Sequence, residues 1–319
     1  MSSIVLILFL LIIMVGIIIA VSYAISRTEH LTEMKIIPFV DLSIANFNDL
    51  PPRLVDDEML KSQVCTSEQF KTPIYKFWID EMKEPHRFHR KQWEFVYILK
   101  ALSERGMLKP GKKGIGFGVG QEPLPAIMAK YGVDVLATDL APSQAEKAGW
   151  LKSGQYLDSL EKLNERRICD PRIFSKRVKW EYADMNSIPP EYNSQFDFVW
   201  SSCALEHTGS LQSGLKFIEN SMGLLKPGGV AVHTTEFNLS SNNQTIEIGG
   251  SVIYRRQDIE KLVKTLRNKG YLIDINLYFD NQDELDRHID APPYSDDTHI
   301  RLDLENYVST SIGLIIQKR

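Results

Sequence analysis

Gly114-Ile115-Gly116-Phe117-Gly118-Val119-Gly120 closes a predicted strand, and Asp139 ends the next apolar run, Val133-Asp134-Val135-Leu136-Ala137-Thr138. A glycine-rich turn after one strand and an acid after the next is how an α/β sheet holds an adenosine-bearing cofactor. The glycines let the backbone approach the ligand, and the carboxylate accepts hydrogen bonds from a ribose. The dinucleotide fingerprint G-x-G-x-x-G fits in no register, because its third glycine falls on Val119, Gln121 or Pro123. The form that fits is G-x-G-x-G, on Gly116, Gly118 and Gly120. Farther along, Glu206 and His207 follow a fourth predicted strand, while His233, Thr235, Glu236 and Asn238 lie on and after a fifth. Ligands in open α/β sheets bind beyond the carboxyl ends of strands, so both groups are expected at one crevice. Imidazoles and carboxylates at such a crevice can take or give a proton near neutral pH, which makes His207, Glu236 and His233 candidate catalytic residues. A mid-strand histidine such as His233 also fits a hydrogen-bonded core role.

The elements that must position these groups follow from periodicity. Phe95, Ile98, Leu99 and Leu102 recur at helical spacing and predict an amphipathic helix ending near Gly106. Beyond it strands alternate with helices: strands over 113–117, to Asp139, 178–183, 196–201 and 230–235, then a final pair over about 271–279 and 307–317. That pattern predicts an α/β fold, a doubly wound, seven-stranded, mostly parallel sheet closing with a C-terminal antiparallel hairpin. A helix over Leu211 to Leu225 is expected to stop at Lys226-Pro227-Gly228-Gly229. Insertions are expected near 152–176 and 279–305. The second is long, polar and rich in Asp and His (His288, Asp290, His299), and it is expected to lid the crevice.

The N-terminus reads differently. Ile4 to Ile25 is a run of 22 uncharged, mostly apolar residues, about 33 Å of helix and enough to cross a hydrocarbon core. Residues 1–26 are therefore read as one transmembrane helix, residues 27–85 as a connector packing partly on the rest, and residues 86–319 as the catalytic domain. A cleaved signal peptide is the rival reading, although no Lys or Arg precedes the run. Arg27 and Lys35 follow it, which favours a cytoplasmic C-terminal portion and a single-pass membrane protein. A net charge of −4 with no basic run argues against nucleic acid as a partner. Cys65, Cys169 and Cys203, far apart and odd in number, form neither a disulfide framework nor a zinc motif. His207, His233, Glu236, His288, Asp290 and His299 offer metal-ligand chemistry, but no close pair at i, i+3 or i, i+4 on a helix supports a site, and none is assigned.

These segments, in this order, resemble class I S-adenosylmethionine-dependent methyltransferases from roughly Leu99 to the C-terminus. Gly116, Gly118 and Gly120 match the glycine loop and Asp139 the ribose-binding acid. Tyr182-Ala183-Asp184-Met185 resembles the segment whose acid meets the adenine amino group. Phe196 to Ser202, with Ser201, Glu206 and His207, resembles the motif at the reactive end, and Leu224 to Gly229 the turn before strand five. The resemblance implies S-adenosyl-L-methionine as cofactor, bound through Gly116, Gly118, Gly120, Glu122, Asp139, Asp184, Met185 and Ser201. One departure is Gly114, where family members commonly carry an acid; Glu122 offers a compensating charge. A polar or lipid-linked acceptor, with a sugar hydroxyl favoured, fits the polar loops and the anchor. The alternatives are an inactive methyltransferase-like scaffold and a nicotinamide-dependent reductase. If the anchor reading holds, a chain beginning at Arg27 stays in the soluble fraction while the full chain sediments with membranes. A mature full-length protein found soluble with its N-terminus at Ile25 marks a signal peptide instead.

Overall fold

The computed structural model describes residues 59–147, 149, 156–295 and 298–319. The chain divides into two units, Met1–Asn48 and Asp49–Arg319. The first lies outside the described residues, as do the apolar run Ile4 to Ile25 and the start of the connector. Among the described residues no helix is long and apolar enough to cross a membrane.

Among the described residues eleven strands are formed: β1 (Ser62–Val64), β2 (Phe88–His89), β3 (Lys113–Phe117), β4 (Asp134–Asp139), β5 (Val178–Tyr182), β6 (Phe196–Ser202), β7 (Leu225–Asn238), β8 (Ile275–Asn276), β9 (Thr298–His299), β10 (Leu302–Leu304) and β11 (Tyr307–Gln317). Nine of them make one sheet in the order β5-β4-β3-β6-β7-β11-β1-β8, with β10 on β11, and β2 pairs separately with β9. The five strands from β5 to β7 run parallel and β11 is antiparallel to β7. Continuous apolar runs in β3, β4 and β6 suit this, because both faces of a parallel sheet are covered.

The expected seven strands and terminal hairpin need correction. The predicted strand over 271–279 shrinks to β8, which pairs with β1, and of the expected hairpin one antiparallel bridge, Leu272 to Gln317 of β11, remains. Ser62–Val64 takes the position beside β11, with the Ser62 hydroxyl accepting from Ile315 N at 2.9 Å and Cys65 N donating to Ser311 O at 2.9 Å. The antiparallel partner that β11 keeps locally is β10. The helix over Leu211–Ser221 also ends earlier than expected. Lys226-Pro227-Gly228-Gly229 lies inside β7 instead, where the register against β6 shifts and Gly228 takes φ +79°.

The helix Arg90–Glu104 lies across the sheet with Trp93, Val96, Ile98, Leu99 and Leu102 buried. Its first turn is capped by His89, whose Nδ1 accepts from Lys91 N at 3.1 Å. Tyr97 covers Gly313 of β11 so closely that a Cβ there would enter the tyrosine ring. Gly313→Ala is therefore expected to cost about 1–3 kcal/mol through overpacking, read as a lower denaturant midpoint at unchanged m-value. An unchanged midpoint would show that this helix does not press on the sheet.

Candidate active site

The carboxyl ends of β3, β4 and β6 open into a cleft of about 640 Å³. Its floor is the turn after β3, where Gly118 (φ +61°) and Gly120 (φ +50°) occupy the left-handed region. A Cβ on Gly118 would lie 2.7 Å from the Ala204 Cβ, so this turn tolerates no side chain. Asp139 closes the turn from the end of β4. One of its oxygens accepts from Gly120 N at 3.1 Å and the other from Leu140 N at 2.8 Å. Burial raises the Asp139 carboxyl above its usual range, and these two backbone donors oppose the rise.

Asp184 and Met185 line the cleft beyond β5. The Asp184 carboxylate accepts from Asn186 N at 2.8 Å, the turn chemistry that holds this segment in place. Glu122 sits just past the glycine turn, buried, and accepts from the Trp200 indole N–H at 2.5 Å. Burial pushes its carboxyl up to about 8. At the β6 end His207 lines the cleft. Its Nδ1 lies 2.7 Å from the Gly250 carbonyl, an acceptor, so in the neutral ring the proton sits on Nδ1 and the lone pair on Nε2. Nε2 is 4.0 Å from Glu206 Oε1. Burial raises Glu206, with His207 and Lys91 opposing.

The other sequence candidates lie elsewhere. Gly116 is inside β3, and a Cβ there would enter the Trp200 ring, so its role is packing. Ser201 is buried behind the cleft, its hydroxyl 2.8 Å from His233 Nδ1. His233 is a correction to the catalytic reading. It points between Ser201 and Ser221 with its ring edge-on to Phe217, fully buried, and burial lowers it to about 3. An inward-facing strand position placed it under a helix rather than at the crevice. Glu236 faces the opposite side of β7, paired with Arg90 and accepting from Ser309 Oγ at 2.6 Å, and it does not line the cleft.

The 279–305 segment also departs from expectation, since none of its described residues lines the cleft. Asp286 accepts from Ser67 N and Oγ, and Asp290 receives His299 Nδ1 at 2.6 Å, so its acids tie the segment to the protein. Nor do three of the six metal-ligand candidates assemble. Among the described residues one such group forms, Cys203, Glu206 and Glu236, within 4.8 Å of one another. Arg90 already neutralises Glu236 there.

Residues without a local signal complete the cleft. Lys91 and Phe95 reach it from the Arg90–Glu104 helix, and Tyr156 from the segment after β4, its hydroxyl donating to Leu140 O at 2.9 Å. Cys203 carries φ +44°, a left-handed non-glycine at the end of β6. A strained residue at a strand's carboxyl end marks functional positions, but sequence gives no sign of it.

A family model described as "Methyltransferase domain" matches residues 115–233. No curated protein matches the chain. Among solved structures, the chain is similar to a SAM-dependent methyltransferase from Aquifex aeolicus at 16% identity and TM-score 0.40, covering 76% of this chain and 98% of that one. It is also similar to one from Methanosarcina mazei, at 13% and 0.41, covering 67% and 96%. A third is the methyltransferase domain of bacterial CtHen1-CN, at 14% and 0.44, covering 72% and 100%. Likenesses this weak carry no argument, and the family model spans less than half of the chain.

The glycine cradle, Asp139 and the buried carboxyl of Glu122 fit a cationic adenosine cofactor. Asp139→Ala removes a charge-assisted acceptor worth about 1.5–3 kcal/mol. Affinity for S-adenosylmethionine by calorimetry should fall roughly 10- to 150-fold. Gly118→Val should abolish binding through the clash with Ala204, while both proteins keep the wild-type circular dichroism spectrum. Unchanged affinity in Asp139→Ala would place the adenosine elsewhere.

Proposed function

We propose that this chain, whose residues 115–233 match a methyltransferase-domain model, works as a class I S-adenosylmethionine-dependent methyltransferase on a hydroxyl of a polar acceptor, a sugar in free or lipid-linked form. Bound in the cleft, S-adenosylmethionine supplies an electrophilic methyl group. The chain's own residues hold it through the turn of Gly118 and Gly120, with Asp139 at the ribose, and Asp184 and Met185 at the adenine end.

The observation that carries the reading is His207. It stands at the β6 end of the cleft with its tautomer set by the Gly250 carbonyl, so Nε2 is the basic atom. A hydroxyl placed against Nε2 would give up its proton as its oxygen attacks. Around His207 the cleft is lined by Asn186, Ser202 and Thr208. Amides and hydroxyls of this kind suit an acceptor bearing several hydroxyls. Alignment of the two reactants in the cleft supplies the rest of the acceleration.

The Ile4 to Ile25 run supports the lipid-linked version. As a single-pass anchor with the catalytic portion in the cytoplasm, it would hold the cleft at a membrane surface where such an acceptor collects.

Transfer of labelled methyl from S-adenosylmethionine to a panel of free and lipid-linked oligosaccharides tests the acceptor class. With the acceptor that is turned over, His207→Ala should lower the rate about 10²- to 10⁴-fold while cofactor affinity stays within about twofold. Wild-type turnover in His207→Ala would remove it as the base. A lack of transfer to every saccharide, with transfer to another class in a cell extract, would overturn the sugar reading.

A further inference from the structure

We propose that Lys91 and Glu122 form a clamp for the zwitterionic methionine end of the cofactor, with Glu122 taking the α-ammonium and Lys91 the α-carboxylate. On this proposal, ligand binding expels a proton from the cleft. The proposal rests on the methyltransferase reading and adds to it residues outside the usual position of the acid.

The geometry starts from an exclusion. A side chain at 114 would drive its Cβ into the Phe198 ring on the neighbouring strand, so β3 has no room for an acid before the glycine turn. The carboxyl that the cleft does contain is Glu122, only 6% exposed. It is fixed by the indole of Trp200, and that same indole covers Gly116. Phe198 and Trp200, two residues apart on one face of β6, thus close the old position and hold the new one.

The opposite charge comes from the Arg90–Glu104 helix. Lys91 reaches the same cleft with its ammonium 3.5 Å from Glu94 Oε2. Glu94 is itself turned toward Arg90, the Cys203 thiol at 2.9 Å and Ser311. Burial alone would lower Lys91, but Cys203, Glu94 and Glu206 outweigh it, so the ammonium stays charged. A carboxyl and an ammonium on two walls of one cleft match a ligand end that carries both charges.

Proton release follows from burial. Besides Trp200, the groups facing Glu122 are Lys91 and Glu94 from the helix and Asp139 from β4. Lys91 favours the charged form, while burial and the two acids oppose it, leaving the carboxyl at about 8. At pH 7 it is therefore mostly protonated. An ammonium seated against it needs the carboxylate, so the proton leaves. The sign is that of a raised carboxyl pKa: affinity is weakened below pH 8 and recovers as pH rises toward 8.

The test compares two ligands on the full chain by calorimetry at pH 7. S-adenosylhomocysteine carries the amino-acid end, and 5′-methylthioadenosine lacks it. In two buffers of different ionisation enthalpy, wild-type protein should release about one proton per S-adenosylhomocysteine and none with methylthioadenosine. Glu122→Gln and Lys91→Met should each weaken S-adenosylhomocysteine about 10- to 100-fold, leave methylthioadenosine within about twofold, and, for Glu122→Gln, abolish proton release. Equal weakening of both ligands, or unchanged S-adenosylhomocysteine affinity in Glu122→Gln, overturns the clamp. So does a wild-type complex that releases no proton. Wild-type protein that binds neither ligand overturns the methyltransferase reading, and the clamp falls with it.

Discussion

A guanidinium sealed between two carboxylates holds the reactive half of this molecule together. Arg90 bridges Glu94 on its own helix and Glu236 on β7, and also reaches Ser311 on β11. Burial alone would lower Arg90, but Glu236, Cys203 and Glu94 outweigh it and raise it. Taking such charges out of water is expensive, and their attraction offsets that only while every partner is present. Removal of one partner from a buried pair typically costs about 3–5 kcal/mol, because the other charge is left stranded. The network therefore does more to specify where the Arg90–Glu104 helix sits than to stabilise the fold in absolute terms. Lys91 and Phe95 reach the cleft because Arg90 is pinned behind them.

The cleft has two halves of different origin. The half proposed to take adenosine comes from short-range turns: Gly118 and Gly120 after β3, Asp139 at the end of β4 and Asp184 after β5. Each is held by backbone hydrogen bonds within a few residues or across one strand pair. The half proposed to take the acceptor is assembled from distant segments, with Lys91 from the Arg90–Glu104 helix, Cys203 and His207 after β6, and the Gly250 carbonyl from the loop after β7. Local turns can be reused unchanged while the distant segments vary, which is how one fold serves many acceptors.

The C-terminal loop shows how polar composition misleads. Asp286 binds the Ser67 backbone and hydroxyl, and Asp290 holds His299, whose ring stacks on His89, the cap of the Arg90–Glu104 helix. Its acids and imidazoles do structural work on the N-terminal segment. The hydroxyls of Ser309 and Ser311 serve Glu236 and Glu94 in the same way. A buried polar group must find a partner, and on this face the partners are one another.

What the sequence alone determined is what short-range rules control. Strands β3, β4 and β6 begin and end within a residue or two of their expected bounds, since a central parallel strand covered on both faces is largely apolar. The glycine turn and Asp139 were legible because glycine takes the φ values found at 118 and 120 without steric cost, and because the acid stands at the end of the very next strand. Tertiary structure decided the rest. Ser62–Val64 enters the sheet through three residues with no periodicity to detect, and its partner lies some 250 residues away. His233 and Glu236 sit on one strand buried on both faces, where period-two alternation says they point oppositely but not which side holds the ligand. Lys91 could not be read as a cleft residue, because its direction depends on a helix positioned by Arg90 and Glu236, which are separated by more than a hundred residues.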